Sequence, residues 1–328
     1  MISGVPIETR AKLLRQHGTF ALAYSATFQP EIEHFGDERG FIAYRRVRGT
    51  VQALADPIAP AEHWPALIEA FLREKGGVAW WQISHPCAKI LSDIGYTVNQ
   101  IGVEWRIDLT SYTFGGPMKR SFRRAAARLN ERQDTVVEAS FATFEPEALN
   151  SVSQEWRATR SVKHRELTFL VRPVVLTDEL DVRKLVVLDR EGHLVAFAIF
   201  DPVYHHDKVI GYLCSARRRR AASHPLTGYA IMRRAIEVFR AEGRSHLSLG
   251  LAPAAIGFDE AFKYNRTVRR TLDFIYRSRF FNRYVYPLRG LNEHKESYGG
   301  VTEPSYFAFN RAPGVEHLRK LAIACSVY

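Results

Sequence analysis

The chain has 328 residues, 46% apolar and 25% charged, a composition that suits one large or two medium soluble cores and excludes a disordered or collagen-like chain. Forty-six Lys and Arg stand against 35 Asp and Glu, a formal charge of +11, which favours a polyanionic partner such as nucleic acid, anionic lipid or a phosphorylated small molecule. No run reaches the roughly 18 apolar residues of a membrane span, Glu8, Arg10 and Lys12 occupy the place where a signal peptide would be apolar, and Cys87, Cys214 and Cys325 lack metal-ligand spacing, so the expectation is a cytoplasmic protein with isolated thiols and at most peripheral membrane contact.

Residues 6 to 17 have helical spacing closed by Gly18. Three runs read as strands: residues 20 to 25, 40 to 47 and 50 to 56, with Arg48-Gly49 as a hairpin turn between the last two. A helix is predicted over 61 to 74, stopped by Gly76-Gly77. A strand at VAWWQIS, a short helix from Pro86 to Asp93 and a strand at TVNQIGVEWRIDL follow. Residues 116 to 132, GPMKRSFRRAAARLNER, then form a basic helix entered through Pro117. At about 100° per residue, Met118, Phe122, Ala125, Ala126 and Leu129 share one narrow apolar stripe, and Lys119, Arg120, Arg123, Arg124, Arg128 and Arg132 fill the rest of the wheel.

Beyond this helix the pattern restarts. A strand at 134 to 141 and a helix at 145 to 159 precede an antiparallel hairpin turning at Glu191-Gly192, a third strand at KVIGYLCSA, a helix at 225 to 242 and a buried strand at SHLSLGLAP. The same order of strands and helices in both parts suggests a duplicated α/β unit: residues 1–115, a basic linker helix at 116–133, and residues 134–328.

No GxSxG, HExxH, CxxC or P-loop is present, which argues against a hydrolase or a nucleoside triphosphatase, and no metal site is predicted. His205-His206-Asp207 reads as a solvated turn. Arg217, Arg218, Arg219 and Arg220 precede the helix that starts near Pro225. They read either as a phosphate site formed with the helix N-terminus or as a disordered basic loop.

The segment from 280 to 309 combines aromatics with Gly290-Leu291, Lys295, Tyr298 and Glu303-Pro304. Together with SLGLAP, the REGHLVAFAIF hairpin, QEW at 154 to 156, the basic helix, GFIAYRRV and LADPIAP, it resembles the C-terminal domain of the bacterial phosphatidylglycerol lysyltransferases. The resemblance covers nearly the whole chain and implies an α/β fold of two tandem GNAT-like acyltransferase domains with mixed, largely antiparallel sheets. It also implies transfer of an aminoacyl group from aminoacyl-tRNA to a lipid or small-molecule hydroxyl or amine. The aminoacyl-tRNA is then a co-substrate and no cofactor is needed. Such a transfer needs positioning, a base and oxyanion stabilisation, without a covalent nucleophile.

On that reading Glu155, Tyr212, Lys295 and Glu303 are the catalytic candidates. Arg217 to Arg220 and Gly250 are candidates for holding the donor, and Lys119, Arg120, Arg123, Arg124 and Arg128 for the tRNA backbone. The chain departs from the family in having Leu213, Cys214, Gly228 and Tyr229 where acids are common, and no membrane region precedes the domain, which leaves a small-molecule acceptor open. Two further classes remain: a CoA-dependent GNAT N-acyltransferase using Arg217 to Arg220 for the pyrophosphate, and a non-catalytic module that binds RNA or membrane.

Overall fold

The computed structural model describes residues 4–160, 165–255, 261–311 and 313–327; the Met118 side chain also lies outside the described residues. α1 (Ile7–His17) starts after Pro6 and ends at Gly18. The apolar run at 20 to 25, predicted as a strand, is a turn leading into α2 (Ala23–Phe28). Ala23 through Thr27 are all buried, and a short run buried on every side carries no periodicity to separate helix from strand.

β1 (Glu33–Asp37), β2 (Gly40–Val47) and β3 (Thr50–Ile58) form an antiparallel meander. Arg48 and Gly49 both take the left-handed backbone that a tight hairpin requires. α3 (Trp64–Lys75) crosses over to β4 (Val78–Ile83), which lies parallel to β3. α4 (His85–Asp93) then leads to β5 (Thr97–Asp108).

The basic helix α5 (Arg120–Arg132) follows one 3₁₀ turn at Pro117–Lys119. In the second part come β6 (Thr135–Glu138), α6 (Pro146–Ala158), β7 (Arg183–Leu188), β8 (Leu194–His205) and β9 (Lys208–Arg219). They are followed by α7 (Thr227–Ala241), β10 (His246–Pro253), α8 (Arg266–Arg277), α9 (Arg279–Tyr284), α10 (Leu288–Glu296), β11 (Val301–Phe309) and α11 (Gly314–Ala324). β6 to β9 form a second antiparallel meander, and β10 pairs parallel to β9 after the α7 crossover, as β4 does to β3.

One eleven-stranded sheet results, in the order β1-β2-β3-β4-β11-β5-β10-β9-β8-β7-β6. β11, from the far end of the chain, inserts antiparallel between β4 and β5, and β5 in turn pairs with β10. Phe307 on β11 is fully buried and stacks on Trp81 of β4 at 3.9 Å, 8° from parallel. Both faces of the sheet are covered. β8 is buried at every position except His205, with α6, α1 and α2 as well as α7 packed against it.

α5 docks along α7 by the stripe its sequence defines. Phe122, Ala125 and Leu129 are buried; Phe122 meets Tyr112, Phe114, Tyr229 and Tyr298, while Ala125 and Leu129 meet Ala230.

Because β11, from the second part of the chain, is held between two strands of the first, Phe307→Ala should remove about 3–5 kcal/mol of stability. Urea unfolding should still show one transition by tryptophan fluorescence and by circular dichroism. Two separated transitions would mean that the parts unfold independently.

Candidate active-site cleft

β9 and β10 pair only from Gly211–Leu213 to His246–Ser248 and then part. The parting has a local cause. β10 carries a bulge between Ser248 and Gly250, where Gly250 takes φ +72°, a conformation costly for any residue with a Cβ. Beyond the bulge β10 follows β5, and β9 follows β8. Between them opens a cleft of about 650 Å³, reached by residues of β9, β10, α7 and α10 and, from the first part of the chain, by Ala21, Leu22, Ser25 and Gln82.

Lys295 of α10 points into the opening. It is 7% exposed, and its Nζ donates to the Leu251 carbonyl at 2.6 Å, on the strand that has just left its parallel partner. Burial, reinforced by the positive charge of Arg217, pushes its pKa down to about 7, with Glu104 pulling the other way. A Cβ at Gly250 would lie 3.8 Å from this Nζ, in ordinary contact, so it is the positive φ and not the amine that calls for glycine here.

Beside it, Arg217 donates to the Tyr298 hydroxyl and, at 2.9 Å, to His294 Nε2. An imidazole nitrogen that accepts from a guanidinium must be unprotonated, which fixes the proton on Nδ1, facing the Tyr229 hydroxyl at 3.4 Å. Burial, then Arg217 and Lys295, lower the His294 pKa to about 3, so the ring is neutral at any physiological pH. Tyr229 donates to Ser297 Oγ at 2.7 Å, which donates to the His294 carbonyl at 2.6 Å and closes the ring of contacts.

Arginines outnumber acids in the lining. Trp156 carries two guanidiniums on its indole, Arg218 at 3.8 Å and Arg160 at 4.3 Å; Arg165 and Arg219 also line the cleft. Leu167, Leu170, Val171 and Val174 with Leu22 supply an apolar part of the lining. That segment is anchored from below by Arg172, whose guanidinium meets Asp201 at 2.6 Å and Glu179 at 2.7 Å in a nearly dry site. Breaking such a pair leaves a buried charge unanswered.

Of the sequence-predicted residues, Lys295, Gly250, Arg217, Arg218 and Arg219 line the cleft. The four arginines do not converge on one phosphate, because β9 runs on to Arg219 and alternation sends successive side chains to opposite faces. Arg217 faces α10, and Arg218 meets Trp156 and Glu166. Arg219 holds the Ser223 carbonyl and hydroxyl, and Arg220 is tied to Glu155, Ser151 and the Leu194 carbonyl.

Glu155 is therefore spent on Arg220 and the Ala221 N–H, outside the cleft lining. Tyr212 is buried on the other side of β9, stacked on Phe239 at 4.3 Å. Glu303 lies on the exposed stretch of β11, paired with Arg106 at 2.6 Å. Lys119 is buried, not surface-facing; it donates to the Tyr112 hydroxyl at 2.8 Å and to the Tyr298 carbonyl, and burial lowers its pKa to about 8.

Arg123 caps the Phe114 and Gly116 carbonyls, and Arg128 pairs with Glu131. Arg120 and Arg124 are exposed, with no carboxylate partner among the described residues. His294, Tyr229, Trp156 and Arg160 were not singled out for roles from sequence. No sequence signal marked them: Tyr298, which meets His294, lies in the turn past the end of α10.

An antiparallel meander followed by a helix and a parallel strand occurs in both parts of the chain, and in the second the parallel strand parts from its neighbour over the cleft, which makes this an α/β fold with one mixed, largely antiparallel sheet. Residues 10–309 match the family model for "Phosphatidylglycerol lysyltransferase, C-terminal", and the chain belongs to that family. It is 26% identical over 313 residues to the phosphatidylglycerol lysyltransferase of Bacillus subtilis (strain 168), covering 93% of this chain and 35% of that protein, so the chain spans about a third of that relative's length. Two solved structures share the fold. The L-PGS structure from Bacillus licheniformis superposes with a TM-score of 0.79 at 20% identity, covering 99% of this chain and 98% of that one. The C-terminal domain of a putative lysylphosphatidylglycerol synthetase from Agrobacterium fabrum superposes with 0.78 at 21%, covering 98% and 96%.

Lys295 has its pKa lowered in the folded state from 10.5 to about 7, so between those values the unfolded chain binds more protons than the folded one and stability rises with pH. Below pH 7 both states are protonated and the full burial cost applies. Lys295→Met should raise Tm at pH 6 and flatten its increase between pH 7 and 10. An unchanged Tm profile would place the amine in contact with water.

Proposed function

We propose that this chain transfers an aminoacyl group from aminoacyl-tRNA to a hydroxyl of a phosphatidylglycerol-like lipid. The observation that carries the reading is the dry amine of Lys295 at the point where β9 and β10 part, in a cleft lined by both arginines and apolar side chains. An aminoacyl ester is already activated, so the protein has to align it with the acceptor, move one proton and stabilise an oxyanion.

With its pKa lowered to about 7 by burial, the Lys295 amine is available in its neutral form near neutral pH. One N–H donates to Leu251, which leaves the lone pair for the acceptor hydroxyl. The acceptor oxygen attacks the ester carbonyl as Lys295 takes its proton. When the bond to the ribose oxygen breaks, Lys295 returns that proton to the leaving oxygen. Arg217, oriented by Tyr298 and His294, supplies fixed positive charge beside the developing oxyanion.

The two kinds of lining residue support the assignment of substrates. Arg160 and Arg165 suit the phosphates at the tRNA 3′ end, and the exposed arginines of α5 suit the duplex behind it. The apolar lining of Leu22, Leu170 and Val174, partly drawn from the first part of the chain, suits the glycerol and acyl portion of a lipid. A CoA pyrophosphate is less well served, since Arg219 and Arg220 are committed to the loop and to Glu155.

Incubation with labelled aminoacyl-tRNAs and phosphatidylglycerol should move label to the lipid, and RNase treatment should abolish the transfer. The rate should rise with pH to a plateau above about 7, and Lys295→Arg, too basic to release its proton, should lose about 100-fold or more. RNase-resistant transfer, or a rate indifferent to Lys295, would overturn the reading. Arg120→Ala with Arg124→Ala should weaken tRNA binding and reduce its salt slope by about two while leaving Tm unchanged, measured by filter binding across salt concentrations.

A further inference from the structure

The strongest unexplained surface is the segment between Arg266 and Arg289, which holds seven arginines and a single acid, Asp273. α8 buries Val268 and Leu272 and turns Arg266, Arg270, Asp273, Phe274 and Arg277 outward. Phe274 is 72% exposed, and on α9 Phe280 is 69% and Tyr284 58% exposed. Phe280 and Tyr284 touch each other at 5.2 Å between ring centres, and Arg283 lies 5.3 Å over Tyr284. Large aromatic rings turned to water cost free energy, and here they sit among cations instead of carboxylates.

We propose that this α8–α9 face docks on an anionic lipid surface, with Phe274, Phe280 and Tyr284 entering the headgroup–acyl boundary and the surrounding arginines meeting lipid phosphates. Aromatics at the apolar edge and arginines that reach outward from it are the composition of an interfacial helix. α5 provides the internal contrast. Its cationic face has no exposed aromatic or large aliphatic residue, so it suits a phosphate backbone and not a bilayer.

The docking face is tied rigidly to the cleft. Asn282 donates to the carbonyls of Tyr276 and Ser278, each at 2.9 Å, and accepts from the Arg289 N–H at 2.8 Å, which locks the end of α8, α9 and the start of α10 together. α10 carries Lys295, and Tyr286, Pro287 and Leu291 line the cleft. A protein seated by α8–α9 therefore holds its cleft wall beside the headgroup plane. The inference deepens the lipid-acceptor reading and rests on it.

The test is cosedimentation of the full chain with vesicles of phosphatidylcholine containing about 30% phosphatidylglycerol, against vesicles of phosphatidylcholine alone. Binding should be at least about 10-fold tighter to the anionic vesicles, and the triple variant Phe274→Ser/Phe280→Ser/Tyr284→Ser should lose at least about 10-fold of it while keeping its circular dichroism spectrum. A second variant, Arg266→Glu/Arg270→Glu/Arg279→Glu, should lose binding at low salt as well, by about five-fold or more per arginine.

In parallel, tRNA binding and transfer to a short-chain, water-soluble phosphatidylglycerol should be retained by the triple variant. Vesicle binding unchanged in both variants would overturn the proposal, as would loss of tRNA binding in the triple variant, which would make the face an RNA platform. Vesicle binding that depends on these residues, with no aminoacyl transfer to any acceptor, would support the docking face and reject the lipid-acceptor reading.

Discussion

β4 and β5 are consecutive strands, yet they never pair, because the space between them belongs to β11. The whole molecule depends on that insertion. It closes two otherwise exposed strand edges, supplies the Phe307–Trp81 stack at the centre of the sheet, and leaves β5 free to pair with β10. It also dictates the path of the chain just before it. α10 must end close to the start of β11, and Tyr298, in the turn between them, is fully buried. Lys295 is thus held over the parting of β9 and β10 by the same geometry that holds the two halves of the sheet together.

Two lysines are dehydrated by this arrangement, and their positions differ in consequence. Lys119 is answered by the Tyr112 hydroxyl and the Tyr298 carbonyl, so it ties the entry of the basic helix to the turn before β11. Among the described residues Lys295 donates to one carbonyl, that of Leu251, and it lines the cleft. A buried cation so sparsely partnered carries an uncompensated desolvation cost. The neutral His294, the Arg217 guanidinium and the hydroxyls of Tyr229 and Tyr298 form its surroundings, and their mutual hydrogen bonds fix the tautomer and orientation of each.

Much of the fold was legible because local rules carry it: the hairpin at Arg48-Gly49, the crossover helices and the apolar stripe of the basic helix each follow from spacing and turn chemistry. The duplicated order of elements was legible for the same reason. The insertion of β11 was not, since pairing between residues 301–309 and strands some 200 positions earlier leaves no mark in any local window. α2 was misread because a short, fully buried run lacks periodicity.

The site divides along the same line. Lys295 and Gly250 came from the resemblance and lie where chemistry is possible. Glu155 and Glu303 are acids with arginine partners, which only three-dimensional contacts reveal. The arginine run was misjudged by one structural fact, the extension of β9 through Arg219: four neighbours in sequence that look like one cluster become alternating side chains with separate duties. His294 had no motif to announce it, and its importance comes from Arg217, more than seventy residues away in the chain.

The central claim is that the fold holds the Lys295 amine dry, so that it exchanges its proton near neutral pH. Its most direct measurement is the titration of the Lys295 side-chain methylene signal by NMR in the full chain, assigned with Lys295→Met. A midpoint near 7 is the predicted result; a midpoint near the ordinary lysine value of 10.5 would contradict it.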